Sequence, residues 1–371
     1  MATVQDYLVW RGDLSFRTDP MNEVDNYILT KVGCPDYTGI VPAGGETVLL
    51  RDAVHTFFGK QRKGEASLGA LASGMILPVL RKLADTERFG EVALSGFVRI
   101  LEPSSTEQFS ALTLLLPDRT AYVSFRGTDD TLIGWKENLM MSVSDAVPAQ
   151  RDAAAYLNEA ARRFPGPLIV GGHSKGGNLA VYAAAMADPS VQRRIRAVYN
   201  NDGPGFTEAF LQSDGYLGIR SRLHTLLPQY SLVGMTLQRE KNVSIVCAPR
   251  PGTSAHDGLR WEVEGPRFVR CEQFSRSSLA FEESLRTVME EMDVEARKAF
   301  IDELFDTLEE AGVTTLTDIS EMQARQTLDL IRKVRRQPEV GKFLSSLIEL
   351  MLKDYASGTR AARMIDKLRD R

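Results

Sequence analysis

The sequence predicts an α/β fold: a mainly parallel sheet crossed by helices, followed by an all-helical C-terminal region. Three observations carry this. From Val92 to about Ser275, strand-like and helix-like runs alternate, and such alternation builds a sheet whose strands are joined by crossing helices. Within that span, residues 167–180 (PLIVGGHSKGGNLA) pass from a short apolar run, through a serine between glycines, into an Ala-rich stretch. From about Ser278 onward, apolar residues recur at helical spacing among many charges, as in packed helical hairpins.

Taken in order, residues 1–60 mix polar turns with amphipathic pieces and are expected to form a helical segment packing on a catalytic domain of residues 61–277. Asn22-Glu23-Val24-Asp25 predicts a helix start, with Asn22 as N-cap and Asp25 three residues on. Thr47 to Phe58 predicts a second helix, on which His55 serves packing or surface. Val92–Leu101, Phe109–Leu116 and Ala121–Phe125 are rich in apolar and β-branched residues. The turn at Pro117–Thr120 and the short connections suggest an antiparallel start to the sheet. Ala149–Phe164 is an amphipathic helix with Ala154, Leu157, Ala161 and Phe164 on one face. The Ile169–Val170 strand, the Leu179–Ala187 helix and the Arg196–Asn200 strand follow. Leu259–Val263 is strand-like. Residues 278–371 form the helical C-terminal region, with helical patterns at Leu279–Ala311, Glu321–Arg336 and Lys342–Tyr355. Its basic cluster, Arg332 to Arg336, is either a lipid or nucleic-acid patch or a solvated face complementing a helix dipole.

Composition narrows the function. A formal net charge of -4 gives no general pull toward nucleic acid, so none is expected as a partner. The three cysteines, Cys34, Cys247 and Cys271, are odd in number and widely spaced, which argues against a disulfide scaffold and a structural zinc site. No metal and no cofactor are expected. The opening residues lack a charged-then-apolar signal and no apolar run approaches a membrane span, so a cytoplasmic location is expected, with a peripheral membrane contact left open.

Gly172-x-Ser174-x-Gly176, in the order strand, turn, helix, is the arrangement of a nucleophile elbow. Its serine occupies a strained turn so that the hydroxyl stands clear of the sheet, and side chains two residues either side are expected to collide with it. The turn aims the Lys175 amide toward a forming oxyanion. The alternative is a serine that merely caps the helix. A parallel sheet crossed by helices binds its ligands at the carboxyl ends of the strands, where Ser174 lies.

A serine nucleophile needs a base and an orienting acid. The chain has four histidines. His173 adjoins the serine and points away from it, His55 precedes the sheet, and His224 lies in an apolar-flanked strand. His256, in the polar loop Gly252–Gly258, is left as the base. Asp202 leaves the strand after the nucleophile strand within Asn201-Asp202-Gly203-Pro204-Gly205, and is read as the acid. Its alternative is an Asx-type turn. Asp257 diverges from its neighbour His256, and Asp214 lies in a surface turn. Thr128, after the strand-ending Phe125-Arg126-Gly127, is expected to give the second oxyanion N–H.

Phe125-Arg126-Gly127-Thr128-Asp129, with Trp135 and Asn138-Leu139 after it, resembles the oxyanion segment of class 3 lipases, and Gly172-His173-Ser174-Lys175-Gly176-Gly177 resembles their elbow. The nearer resemblance is to a bacterial family of lipase-like α/β-hydrolases of unknown function. It covers almost the whole chain through Asn22–Asn26, His173–Asn178, Asp202–Phe206, Ser231–Met235, the His256-Asp257 pair and the helical tail. The resemblance implies an α/β-hydrolase sheet and a serine esterase or lipase cleaving carboxylic esters of lipid-like or other acyl-bearing substrates. Another acyl bond (thioester, phospholipid or peptide) and a catalytically silent binding protein are the alternatives. One departure stands out. Class 3 lipases place their aspartate in a later Asp-x-Val-Pro setting, and here Ser231 occupies that slot, so either Asp202 is the acid or the histidine works without one. Thr131–Met141, rich in apolar residues, is either a mobile cover over the site or a packed helix.

Overall fold

The computed structural model of the protein describes residues 1–60, 68, 73–249, 253–315 and 317–318. Along the chain come α1 (Val4–Arg11), α2 (Glu23–Val32), β1 (Val48–Leu49), α3 (Leu50–Lys60), α4 (Ile76–Ala84), β2 (Ala93–Glu102), β3 (Glu107–Leu115), β4 (Ala121–Phe125) and α5 (Leu132–Met140). They continue with α6 (Pro148–Arg163), β5 (Leu168–His173), α7 (Lys175–Met186), β6 (Ile195–Asn201), α8 (Asp214–Ile219), β7 (Leu223–Pro228) and β8 (Val243–Val246). Last are α9 (Thr253–His256), β9 (Val263–Glu264), β10 (Arg267–Phe268), α10 (Arg276–Glu291) and α11 (Val294–Glu310).

Strands β1 to β8 form one sheet whose spatial order follows the chain. The pairings from β1 to β4 are antiparallel and those from β4 to β8 are parallel. This is the mainly parallel α/β sheet with an antiparallel start that the alternation of elements predicts, and it is consistent with the α/β-hydrolase sheet that the resemblance implies. Side-chain alternation divides β3 and β4 between two cores. Leu112, Leu114 and Tyr122 face α1 to α4, and Phe109, Ala111, Val123 and Phe125 face α6, α7 and α8. Helix α2 starts as its sequence indicates: Asn22 Oδ1 accepts the amides of Val24 and Asp25, and the Asp25 carboxylate accepts that of Asn22.

Several local expectations are corrected. The stretch containing His256 is a short helical turn, α9, rather than an open loop. Leu259 to Val263 is not a strand: Gly258–Arg260 makes a 3-10 turn, and only Val263–Glu264 pairs, with β10. Its apolar residues are buried because Trp261 turns inward and donates its indole N–H to the Ala255 carbonyl at 2.7 Å. Cys247 and Cys271, expected to be unpaired, form a disulfide, because a backbone ladder sets Cys247 N on Val269 O and Cys271 N on Ile245 O. Leu279–Ala311 is two helices, divided at Asp293, whose carboxylate caps α11. Glu321–Arg336, Lys342–Tyr355 and the basic cluster lie outside the described residues. Among the described residues, no helix is long and apolar enough to cross a membrane.

Candidate active site

Ser174 stands between β5 and α7 with φ 58° and ψ -134°. That left-handed region is strained for any residue with a Cβ. The flanking glycines let the turn close. A Cβ on Gly172 would lie 2.0 Å from the Gly176 carbonyl oxygen, and one on Gly176 would lie 2.1 Å from that of Phe125. The collisions they avoid are therefore with each other and with the end of β4, rather than with the serine. Ser174 occupies the N-cap position of α7, yet its side chain makes no capping bond. Its amide is held by the Asn201 carbonyl at 3.0 Å, at the end of the neighbouring strand. The hydroxyl hydrogen-bonds to no described residue.

Asp202 follows β6, also with a positive φ of 50°. It is wholly buried. Its amide donates to Leu226 O on β7, so both neighbouring strand ends fix the turn. Oδ2 of Asp202 lies 2.6 Å from Nδ1 of His256, 54 residues downstream. The side chain of His256 is 27% exposed and that of Asp202 1% exposed, so the imidazole is reachable while the acid is sealed beneath it. A carboxylate at Nδ1 keeps the proton on that nitrogen and leaves Nε2 with a lone pair.

On the other side of the serine, the chain leaving β4 is pressed against the elbow. A Cβ on Gly127 would lie 2.7 Å from His173 O and 3.2 Å from the Ser174 Cβ. Next along, Thr128 Oγ1 accepts from Asn138 Nδ2 at 2.6 Å. The backbone amides of Thr128 and Lys175 donate to no described residue. The Lys175 side chain runs the opposite way, into the protein, where it is fully buried against Glu137 of α5 and donates to Gln108 O at 2.5 Å. Burial pushes its ammonium below the usual lysine range, and Glu137 pulls it back up. Glu137 also accepts from the amides of Gln108 and Ala149, so every charge in this cluster has hydrogen-bond partners.

Helix α5, left open between a cover and a packed element, is packed. Leu132 meets Ile301, Leu304, Phe305 and Leu308 of α11, with Val313, in a third apolar cluster. Leu132 N donates to Thr314 O, and Lys136 pairs with Asp302 at 3.0 Å. Among the described residues, no group of His, Cys, Asp or Glu could hold a metal ion.

Residues 83–306 match the model of a lipase-like family described as Mbeg1-like, and this span is more than half of the chain. The chain belongs to the Mbeg1-like family. No curated protein matches it. Among solved structures, it is similar to one described as the crystal structure of M37 lipase, at 14% identity and a TM-score of 0.33. That match covers 45% of this chain and 65% of the lipase chain, less than two thirds of the latter.

In this Mbeg1-like chain several residues of the site are ones that sequence reasoning did not assign. Ser231, in the slot where class 3 lipases carry aspartate, donates its hydroxyl to Asp202 Oδ1 at 2.5 Å, and Gly234 N approaches the same oxygen at 3.3 Å. The Asn22–Asn26 segment is also explained. Asp25 pairs with buried Arg88 at 2.5 Å, which ties α2 to the chain before β2. Asn26 donates to Asn201 Oδ1 at 2.9 Å, and Asn201 in turn donates to Gly172 O. Helix α2 is thus linked through the Asn201 side chain to the strand end just before Ser174 and to the residue just before Asp202. Only recurrence of the motif marked these positions, and no local pattern tells what they touch.

Proposed function

We propose that this chain is a serine hydrolase that cleaves carboxylic esters through an acyl-enzyme on Ser174. The observation that carries the reading is the 2.6 Å contact between buried Asp202 and His256, in a chain whose elbow holds Ser174 in a strained turn with no capping bond on its side chain. Ser174 Oγ attacks the acyl carbonyl carbon as Nε2 of His256 removes its proton. The imidazolium so formed is stabilised by the Asp202 carboxylate and returns the proton to the departing alcohol oxygen. Water then attacks the acyl carbon by the same route and frees the serine. The amides of Thr128 and Lys175 are the donors to the oxyanion, each worth about 3 kcal/mol in the transition state. The Thr128 hydroxyl already accepts from Asn138, so its own proton is available to the same oxygen. The substrate class is an acyl ester or lipid-like ester.

The test is hydrolysis of p-nitrophenyl esters of increasing acyl length. Turnover that is lost in Ser174→Ala and reduced about 10⁴-fold in Asp202→Asn supports the proposal. A rate unchanged in Asp202→Asn would place the acid elsewhere, and turnover retained in Ser174→Ala would remove the proposal.

A further inference from the structure

His173 turns away from the reaction side of the elbow, and both of its ring nitrogens are engaged. Nε2 lies 2.7 Å from the backbone carbonyl oxygen of His256. A carbonyl only accepts, so Nε2 carries the proton. In the neutral ring Nδ1 is then an acceptor, and Lys31 Nζ of α2, 2.9 Å away, is its donor. Burial first, and then the nearby Lys31 and His256, hold this imidazole well below the usual histidine range, which keeps it neutral.

Lys31 is an expensive residue in this position. It is 5% exposed, and among the described residues no carboxylate lies within ion-pairing distance of it. Its amine sits 4.7 Å from the centre of the Tyr27 ring. A buried amine without an anionic partner costs more than a leucine would, unless its N–H is needed. Among the described residues, the group to which it donates is His173. The His173 and His256 rings pack at 4.4 Å between centroids, tilted by 38°, and Tyr27 extends the same support by accepting the amide of Gly258, two residues past His256.

We infer that Lys31 and His173 are positioning residues for His256: the Lys31 amine fixes the tautomer of His173, and His173 Nε2–H holds the His256 carbonyl so that the imidazole stays against Asp202. The inference rests on the proposed reading of His256 as the base for Ser174. In this arrangement the base is held at three places, its Nδ1 by Asp202, its carbonyl by His173 and its ring face by the His173 ring. These supports come from two parts of the chain, Asp202 after β6 and His173 at the end of β5. An imidazole displaced by about 1 Å loses on the order of 10²-fold in rate, so the backbone hold matters as much as the carboxylate.

The experiment uses the full chain and two readouts. One is the downfield proton resonance of His256 Nδ1–H against Asp202, and the other is the rate at which a fluorophosphonate labels Ser174. Lys31→Met keeps the stem and removes the donor. His173→Phe keeps the ring and removes both hydrogen bonds. His173→Gln can accept from Lys31 and donate to the carbonyl. The expected result is that Lys31→Met and His173→Phe each shift or broaden the resonance and slow labelling by about 10²-fold. The double variant loses no more than either single, and His173→Gln recovers most of the rate. Thermal unfolding identifies any variant that has lost the fold, and His173→Gln then decides by itself. Wild-type resonance and rate in folded Lys31→Met and His173→Phe would overturn the inference. A wild-type chain that does not label would defeat the hydrolase reading alone, and the positioning role would then be judged on the resonance.

Discussion

Ser231 donates its hydroxyl to the Oδ1 of Asp202, on the same carboxylate whose Oδ2 holds His256. On the proposed reading, a serine in the slot where class 3 lipases carry the acid supports an acid supplied by the preceding strand. A hydrogen bond to a charged group contributes about 1.5–3 kcal/mol. Ser231→Ala should therefore lower kcat/KM for p-nitrophenyl esters roughly 10- to 100-fold while the chain stays folded. Ser231→Asp should be worse still, because it sets a second carboxylate against a buried one. Full activity in Ser231→Asp would mean that the later slot can carry the acid.

The buried pair of Lys175 and Glu137 joins the elbow to α5. Removing one partner strands the other charge, at a cost of about 3–5 kcal/mol, whereas removing both with apolar residues is milder. Glu137→Ala should lower the urea midpoint sharply. Lys175→Met combined with Glu137→Leu should recover part of the loss. Equal midpoints for Glu137→Ala and wild type would show that the pair contributes nothing to stability.

Glu107, at the start of β3, is pushed up to about 7 by burial first and then by Asp152 beside it. The folded state then binds more protons than the unfolded state between pH of about 4.5 and 7, so this group's contribution to stability falls as pH rises through that window. Glu107→Gln should match wild type in Tm near pH 4.5 and exceed it at pH 8. A variant equally stable or less stable at pH 8 would contradict the assignment.

Much of the site was legible because its chemistry leaves local marks. Glycines around Ser174, Gly-Pro-Gly after Asp202 and the scarcity of histidines each narrow the choice within a few residues. The supporting contacts leave none. Lys31 meets His173 across 142 residues, Lys175 meets Glu137 across 38, and Ser231 meets Asp202 across 29. Only the sheet register brings them together. The strand expected at Leu259–Val263 failed because a buried tryptophan in a turn has the same apolar signature as a strand. The disulfide was missed because an odd cysteine count says nothing about which two are paired by a ladder.

That disulfide encloses the segment carrying His256, since Cys247 and Cys271 lie on either side of it, 24 residues apart. Closing such a loop is worth about 3 kcal/mol by the chain-entropy account. Cys247→Ser with Cys271→Ser, or reduction by dithiothreitol, should lower Tm and slow ester turnover together. The remaining cysteine, Cys34, is unpaired and half-buried against the apolar core that includes α2, and alkylating it in the unreduced chain controls for its own effect. Unchanged turnover in the double serine variant would show that the bond does not hold the histidine segment.

The most direct measurement is mass-spectrometric mapping of the adduct formed with a fluorophosphonate, which reports an activated serine without any guess at the ester. One adduct, on the peptide containing Ser174, absent in Ser174→Ala and strongly slowed in His256→Ala, is the predicted result. An unlabelled chain, or a His256→Ala variant that labels as fast as wild type, would contradict the account.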